Sequence, residues 1–405
     1  MLLRDTVLGI LKDQYPPASP SPEVSRELAD AIPAKSTQAL VLLGVRRCGK
    51  SILQGQLMRG KQAFYCNMED TRLFGLTAKD LPTLLSVIEE LAGDSAIFLD
   101  EIQELPEWQR LVRSLLDRGK TLCVTGSNAS LLGKELGAKL TGRHLSFEVF
   151  PFSFSEYLAS TKQEAGASAL AAYLDDGGFP GYLRERNIQV LQELLRDIVQ
   201  RDIAQRHHLR ETKHVMNLAL FLLANTGLPM SVQSLTKSLA IPSVSQTSRY
   251  LDYLQDAYLL SALPKFSPSF KQRVTMPNKY YAIDNGMRRA NSPQFNLDFG
   301  HRLENAVYLA LRQRGGPIFY AGEKDRWECD FVTNDLAIQV CAELTPSNQE
   351  RETKGLVHAL RLPGKRKGII LTRDQRQNLT DSGNEIEIIP AWRWLLSGSR
   401  HSKTL

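Results

Sequence analysis

The sequence has 405 residues, enough for two or three domains with ordinary cores. A hydrophobic fraction of 42% and a charged fraction of 23% are typical of a globular protein, and the absence of any apolar run of about 18 residues excludes a membrane-spanning helix. The N-terminal segment lacks the apolar core of a signal peptide, and the five cysteines have neither metal-ligand nor disulfide spacing, so we expect a cytoplasmic protein. A net charge of +6 permits nucleic-acid contact without indicating it.

The first part of the chain has the pattern of an α/β protein. Residues 2–12 are spaced like a short amphipathic helix, and residues 15–22 are rich in proline, which predicts a stiff linker. Short, continuous apolar runs then alternate with helical periodicity, as expected of a parallel sheet whose strands are covered on both faces. These predicted strands are Ala39–Leu43, Ala63–Cys66, Ala96–Leu99 and Thr121–Val124.

A glycine-rich motif directly follows the first predicted strand. Residues 44–51 read Gly-Val-Arg-Arg-Cys-Gly-Lys-Ser and fit G-x-x-x-x-G-K-[ST], in which backbone N–H groups and a helix N-terminus bind phosphates. Lys50 would reach the β- and γ-phosphates, and the Ser51 hydroxyl would ligate Mg²⁺. A chance match is the alternative, and the strand before the motif argues against it. The predicted nucleotide-binding residues are Gly44, Val45, Arg46, Arg47, Cys48, Gly49, Lys50 and Ser51.

Two carboxylates follow the third predicted strand, as Asp100 and Glu101. Their position places them at the C-terminal edge of the sheet, where open α/β sheets bind ligands. We expect Asp100 to hold Mg²⁺ through water and Glu101 to polarise the hydrolytic water. Acidic residues after a strand also serve as helix caps, but the glycine-rich motif upstream favours the catalytic interpretation.

Two further candidates lie downstream. Ser127 and Asn128 follow shortly after the fourth predicted strand, and Asn128 is our preferred sensor of the γ-phosphate; a simple Gly-Ser-Asn turn is the alternative. Arg143, in the segment Thr-Gly-Arg, is a candidate arginine finger for a neighbouring subunit, and an ordinary surface arginine is an equal alternative. Arg46 and Arg47 receive no role beyond electrostatic support.

Several segments occur in an order that resembles a family of bacterial and archaeal AAA+-type ATPases with a C-terminal domain of unknown function. This resemblance implies an AAA+-like core, ATP rather than GTP as the nucleotide, and a homo-oligomer, with a hexamer as one candidate size. The matching segments are residues 44–51, 67–73 (Asn-Met-Glu-Asp-Thr-Arg-Leu), 98–103 (Phe-Leu-Asp-Glu-Ile-Gln), 125–132 (Thr-Gly-Ser-Asn-Ala-Ser-Leu-Leu), 140–143 (Leu-Thr-Gly-Arg) and 150–157 (Phe-Pro-Phe-Ser-Phe-Ser-Glu-Tyr).

We therefore expect an α/β protein in which a P-loop parallel sheet precedes a helical and winged-helix part and a small C-terminal α/β domain. The predicted regions are an N-terminal helix and linker (1–22), an AAA+-like ATPase domain (23–160), a helical lid or connector (161–214), a winged helix-turn-helix (215–285) and a C-terminal domain resembling restriction endonucleases (286–405).

The predicted helix-turn-helix consists of a helix at residues 231–239 and a second helix from Ser243, separated by Ile241-Pro242. Segments around Tyr258 and Lys279 would form the wing. Winged helices can bind double-stranded DNA, but they also serve as rigid lids and subunit contacts, so both interpretations stay open. The side chains expected to face DNA are Gln246, Ser248, Arg249, Lys271 and Arg273.

The C-terminal region resembles a restriction-endonuclease core that has lost part of its active site. Glu304 and Asp330 match the acidic positions, but Gln339 and Cys341 stand where a Glu-x-Lys motif is expected, and a thiol cannot replace an ammonium. We expect a degenerate domain used for binding or assembly.

Three functions remain open at this point. The leading hypothesis is an Mg²⁺-dependent ATPase that couples hydrolysis to contact with DNA or with a protein partner. The alternatives are a nucleotide-dependent assembly switch with little turnover and an ATP-regulated nuclease, against which Gln339 and Cys341 argue.

Overall fold

The computed structural model of the protein describes residues 3–16, 23–127, 142–292, 298–364 and 366–397. The chain divides into two compact units. The first comprises Met1–Phe150 together with Asp256–Tyr258, and the second comprises Pro151–Gln255 and Leu259–Leu405. Among the described residues, no helix is both long and apolar enough to cross a membrane.

A parallel five-stranded sheet in the order β2-β3-β4-β1-β5 forms the centre of the first unit. Its strands are β1 (Ala39–Leu43), β2 (Ala63–Asn67), β3 (Ala96–Asp100), β4 (Leu122–Gly126) and β5 (His144–Glu148). The α-helices described with it are α1 (Arg4–Lys12), α2 (Lys50–Met58), α3 (Leu81–Ala92) and α4 (Trp108–Asp117). Short 3-10 helices span Glu27–Ala31, Thr71–Leu73, Ala78–Asp80 and Ile102–Glu104.

Burial explains why the inner strands could be predicted. All five residues of β1 and of β4 are buried, which is the environment that continuous apolar runs require. The four predicted strands match β1 to β4 within two residues at each end, so the prediction of an α/β protein with a P-loop parallel sheet is confirmed. The edge strand β5 was not predicted, because its sequence His-Leu-Ser-Phe-Glu is polar and none of its residues is buried.

The second unit begins with helices and contains a small antiparallel sheet. The sheet has the order β6-β8-β7, with β6 (Pro229–Met230), β7 (Leu260–Leu263) and β8 (Asn278–Ala282). The helices up to this sheet are α5 (Phe154–Thr161), α6 (Ala167–Asp176), α7 (Pro180–Glu185), α8 (Gln189–Asp197), α9 (Lys213–Ala224), α10 (Val232–Ser238), α11 (Val244–Asp256) and α12 (Phe270–Thr275). A π-helical stretch, Ile198–Gln205, continues α8.

A six-stranded mixed sheet follows in the order β13-β14-β12-β11-β10-β9. Its strands are β9 (Phe319–Glu323), β10 (Trp327–Val332), β11 (Leu336–Val340), β12 (Lys367–Thr372), β13 (Gln377–Asp381) and β14 (Asn384–Pro390). The remaining helices are α13 (Asn285–Asn291), α14 (Phe299–Arg314), α15 (Gln349–Leu360) and α16 (Ala391–Ser397). Helix α15 packs on β10, β11 and β12 and buries Leu356 and Ala359 against them.

The contact between α15 and β10 depends on Gly355. A methyl group on Gly355 would lie 1.8 Å from the carbonyl oxygen of Glu328, which is backbone and cannot rotate away. We therefore expect Gly355→Ala to destabilise the second unit by about 1–3 kcal/mol, because the helix must move off the strand. Thermal unfolding followed by calorimetry measures this loss.

Gly181→Ala in α7 is the matched control. Its added methyl group would meet only Val190 Cγ1 at 3.9 Å, an ordinary contact, and alanine favours the helix by about 0.5–1 kcal/mol. Equal unfolding temperatures for the two variants would contradict the packing that places α15 on β10.

Candidate nucleotide-binding site

The glycine-rich loop lies between the end of β1 and the start of α2, and its backbone requires glycine at two positions. A methyl group on Gly44 would lie 2.1 Å from the carbonyl oxygen of Val149, so only glycine lets the loop pass this segment. Gly49 has φ +102°, and Arg47 is also left-handed with φ +64°. These residues turn the chain back on itself before α2 begins at Lys50.

A buried arginine, Arg26, connects the loop to the segment around Phe150 through hydrogen bonds. Arg26 donates from Nη1 to the carbonyl oxygen of Cys48 at 2.9 Å and from Nη2 to that of Phe150 at 2.6 Å. The sequence analysis missed Arg26, because it lies in a segment without a recognisable motif. Cys48 is fully buried, and this burial raises the pKa of its thiol, so we assign it a packing role within the loop.

Lys50, the first residue of α2, is buried and hydrogen-bonded to the backbone of the loop. It is only 3% exposed, and its Nζ donates to the carbonyl oxygens of Gly44 at 3.2 Å and Val45 at 3.3 Å. The same Nζ lies 3.8 Å from Glu101 Oε1. The structure thus brings together Lys50 and Glu101, which the sequence analysis assigned to one catalytic site. The ammonium group therefore lies against the first residues of the loop.

Thr125 fixes both acidic residues at the end of β3. Its hydroxyl donates to Asp100 Oδ1 and accepts from the backbone N–H of Glu101 at 2.8 Å. The hydroxyl of Tyr65 donates to Asp100 Oδ2 at 2.8 Å, and burial followed by the charge of Asp100 raises the pKa of Tyr65. Glu101 is held in a left-handed conformation with φ +47°, and Gln103 donates to its carboxylate. Asp100 is 2% exposed, so it is a preorganised acceptor.

Thr125 and Tyr65 were missed from the sequence, although a signal existed. Tyr65 lies on β2 and Thr125 on β4, and both of these strands flank β3 in the sheet. Polar side chains near the carboxyl ends of neighbouring parallel strands meet at one edge, so the strand order identifies them. The predicted fourth strand ended one residue before Thr125.

Of the two candidates for the phosphate sensor, Ser127 and Asn128, only Ser127 is among the described residues. Strand β4 lies between β1 and β3, so its end is placed between the loop and the acidic pair. Ser127 is buried, and its Oγ lies 3.5 Å from Gln103 Nε2. Asn128 lies outside the described residues, and its assignment as sensor stays a prediction.

Arg143 lies at the N-terminal end of the parallel strands, whereas the loop lies at their C-terminal end. Its carbonyl oxygen accepts from the N–H of Ala39, the first residue of β1, whereas the loop follows the last residue of that strand. Its guanidinium pairs with Asp117 and lowers the pKa of that carboxyl. Within one chain Arg143 therefore does not join the site, and a role in a neighbouring subunit's site stays a prediction. Arg46 pairs with Glu69 at 3.7 Å.

The residues present fit a nucleoside triphosphate with Mg²⁺. Mg²⁺ in such sites takes one or two protein ligands together with phosphate oxygens and water, and Ser51 and Asp100 supply a hydroxyl and a carboxylate for this purpose. Helix α2 directs its N-terminus at the loop, as phosphate binding requires. The two carboxylate oxygens of Asp100 already accept hydrogen bonds, from the hydroxyl groups of Tyr65 and Thr125.

The C-terminal candidates also lie together, within the second unit. Glu304 is on α14, Asp330 on β10 and Gln339 on β11. Asp330 Oδ2 accepts from the N–H of Val340 at 2.9 Å, and Gln339 donates to Glu352 at 2.9 Å. Cys341 follows β11 and is buried, which raises the pKa of its thiol to about 12, so it remains neutral where a lysine was expected.

Comparison with known proteins finds family profiles for two parts of this chain and two relatives that cover most of it. A family profile described as AAA domain matches residues 36–158, and one described as domain of unknown function (DUF8612) matches residues 168–298. The uncharacterized protein MJ1544 of Methanocaldococcus jannaschii is 34% identical over 395 residues, which is 88% of each chain. An uncharacterized protein of Haemophilus influenzae is 30% identical over 404 residues, covering 92% of this chain and 98% of its own.

Two solved structures align with this chain at lower similarity. The Walker-type ATPase PABY2304 of Pyrococcus abyssi aligns with a TM-score of 0.38 and 16% identity, over 71% of this chain and 94% of its own. The ORC1 protein of Aeropyrum pernix, solved in complex with DNA, aligns with a TM-score of 0.32 and 16% identity, over 75% of this chain and 95% of its own.

The position of Thr125 predicts a local stability effect. Thr125→Val keeps the shape of the side chain but leaves the N–H of Glu101 and one oxygen of Asp100 without this partner. We expect it to lower the free energy of unfolding at the ends of β3 and β4 by about 1–3 kcal/mol. Hydrogen exchange of peptides from these strands measures the change.

Thr125→Ser is the control, because it retains the hydroxyl and removes only a methyl group. Its exchange protection should stay close to that of the unmodified protein. If Thr125→Val were protected equally well, the hydroxyl would not be holding the acidic pair.

Proposed function

The chain belongs to an AAA-domain family of P-loop ATPases, and from that premise we propose that it hydrolyses ATP with Mg²⁺ at the site formed by the loop and the acidic pair. The observation that carries the proposal is the 3.8 Å approach of the Lys50 ammonium to the Glu101 carboxylate at the carboxyl end of the parallel sheet. Phosphate-binding and water-activating groups thereby meet at one point.

The proposed roles follow from the contacts of each residue. The loop residues 44–49 and the start of α2 would bind the phosphates through backbone N–H groups, and Lys50 would neutralise the β- and γ-phosphates. Ser51 and Asp100 would hold Mg²⁺, which neutralises phosphate charge when bound. Glu101 would accept a hydrogen bond from the attacking water and orient it, with its backbone fixed by Thr125.

The pairing of Lys50 with Glu101 suggests how binding and activation are linked. Phosphate oxygens carry more charge than the Glu101 carboxylate and would compete with it for the Lys50 ammonium. Glu101 would then be released to the water, while Gln103 continues to donate to it. In this proposal the Glu101 carboxylate becomes available to the water only when a phosphate has replaced it as the partner of Lys50. Water would then not be activated in the absence of nucleotide.

The first experiment compares ATP hydrolysis and nucleotide binding for Lys50→Ala and Glu101→Gln in the full-length protein. Lys50→Ala should lose both binding and turnover, because it removes the phosphate-neutralising charge. Glu101→Gln should still bind ATP while its turnover falls by about 100-fold or more, since an amide cannot act as the base. Phosphate release and fluorescent-nucleotide titration provide the two readouts.

Lys79→Ala, at an exposed lysine of the same unit, is the control and should match the unmodified protein. Binding without turnover in the unmodified protein would favour the alternative of a nucleotide-dependent assembly switch. Turnover that survives both substitutions would rule out this site as its source.

We further propose that the second unit couples the ATPase to a partner through a winged helix-turn-helix. Helices α10 and α11 are separated by a short turn, and the antiparallel sheet β6-β8-β7 accompanies them, which is the arrangement expected of a winged helix. Ser248 and Arg249 are exposed on α11, and Lys271 is exposed between β7 and β8. Two of the expected DNA-facing residues have other contacts: Gln246 donates to Tyr250, and Arg273 lies over Phe270 at 5.7 Å.

Double-stranded DNA is the partner we would test first, and a protein partner is the alternative. Arg249→Ala and Lys271→Ala should each weaken binding of a fluorescent duplex and reduce the slope of log affinity against log salt by about one unit per lost phosphate contact. Fluorescence anisotropy at several salt concentrations measures both quantities.

Lys367→Ala, on β12 of the C-terminal sheet, removes an exposed charge elsewhere in the second unit and is the control. If duplex DNA neither binds to these surfaces nor raises the ATPase rate, the coupled partner is a protein. We also propose a homo-oligomer in which Arg143 acts at the site of a neighbouring subunit. An ATPase rate per chain that rises with protein concentration would support it.

A further inference from the structure

Lys279 on β8 is a buried cation surrounded by carboxylates from other elements. Its side chain is 1% exposed, and its Nζ lies 2.8 Å from Glu328 Oε1, 3.1 Å from Glu304 Oε1 and 3.3 Å from Asp330 Oδ1. Glu304 comes from α14, and Glu328 and Asp330 come from β10. The cluster therefore joins three elements of the second unit around one ammonium group.

The carboxylates are held by further hydrogen bonds, so their positions do not depend on Lys279 alone. The hydroxyl of Tyr281 donates to Glu304 Oε1 at 2.5 Å, and the N–H of Val340 donates to Asp330 Oδ2 at 2.9 Å. Glu328 is 44% exposed and faces solvent. Glu304, Glu328 and Asp330 line an open groove of about 1550 Å³.

The charges explain why a cation is required at this point. Burial alone would lower the pKa of Lys279, but the charges of Glu304, Asp330 and Glu328 together raise it well above its usual value. Burial, and then the charge of Glu304, raise the pKa of Asp330 to about 8. Two buried carboxylates beside a third would repel one another strongly without a positive charge between them.

The geometry is that of an ammonium group rather than of a metal ion. The three Nζ–oxygen distances of 2.8–3.3 Å are ordinary for N–H···O contacts, whereas Mg²⁺ takes oxygens at about 2.0–2.1 Å and Ca²⁺ at about 2.3–2.6 Å. Within the described part of the chain, no group of three or more His, Cys, Asp and Glu side chains is arranged to hold a metal ion. The carboxylates are thus spread around the ammonium.

We propose that the Lys279 ammonium is the resident cation of this groove: it neutralises the three carboxylates in place of a metal ion, and its removal leaves carboxylates that can close around a divalent cation. The proposal concerns the second unit and does not rest on the ATPase. An ammonium group donates three hydrogen bonds but has no open ligand position, so it neutralises the carboxylates without activating a water molecule. The groove would accordingly serve binding, which agrees with the loss of Glu-x-Lys at Gln339 and Cys341.

The test titrates CaCl₂ and MnCl₂ into the nucleotide-free, full-length protein by isothermal titration calorimetry. We expect Lys279→Met and Lys279→Ala to bind one cation per chain about tenfold or more tightly than the unmodified protein. Their unfolding temperatures should fall in cation-free buffer, because three carboxylates have lost their counter-charge, and should rise again when cation is added.

Lys324→Met is the matched control, because Lys324 is an exposed lysine that lines the same groove. It should behave like the unmodified protein in both measurements. Any cation held weakly by Ser51 and Asp100 is common to all variants and cancels in the comparison.

Two results would overturn the proposal. One is an unmodified protein that binds the cations as tightly as Lys279→Met does, and the other is a Lys279→Met protein that binds neither cation. If the variants unfold in cation-free buffer, refolding from urea with and without Ca²⁺ decides the question. Recovery only with Ca²⁺ supports a resident ammonium, and failure to recover in both buffers contradicts it.

Discussion

The burial of the Lys50 ammonium is the constraint on which the nucleotide site depends. A charged group that is 3% exposed must find acceptors within the protein, and here they are the carbonyl oxygens of Gly44 and Val45. These carbonyls can converge on Nζ only if the loop turns back, which the left-handed conformations of Arg47 and Gly49 achieve. In this conformation Gly44 lies against the carbonyl group of Val149, and a side chain at position 44 would not fit.

The parts of this structure that were predictable from sequence are those encoded by neighbours along the chain. Continuous apolar runs identified β1 to β4, and a motif within eight consecutive residues identified the loop. The acidic pair was found because it directly follows an apolar run. Edge strand β5 escaped because none of its residues is buried, so its pattern carries little hydrophobic signal.

The supporting residues could not be predicted in the same way, because their partners are distant in sequence. Arg26 supports Cys48 and Phe150, and Thr125 holds Asp100 and Glu101 only because β4 lies beside β3. Lys279 is the clearest case. The sequence analysis counted it as part of a wing strand and looked for a lysine at Cys341, whereas β8 brings its ammonium to Asp330 from 51 residues away. A functional side chain that comes from a distant strand leaves no pattern in the sequence around its partners.

Lys50 and Lys279 are both buried, and they differ in a way that bears on what each can do. Lys50 has neutral carbonyl acceptors and one carboxylate at 3.8 Å. Replacement of these partners by a more highly charged phosphate group would therefore be favourable. Lys279 has three carboxylates within 3.3 Å, and an anion entering there would have to overcome their combined repulsion. An ammonium held by dipoles is available for exchange with a ligand, whereas one enclosed by full charges is a fixed part of the fold. In the proposed site of the first unit, Lys50 can therefore exchange its partners for a ligand, whereas Lys279 is a permanent electrostatic link between elements of the second unit.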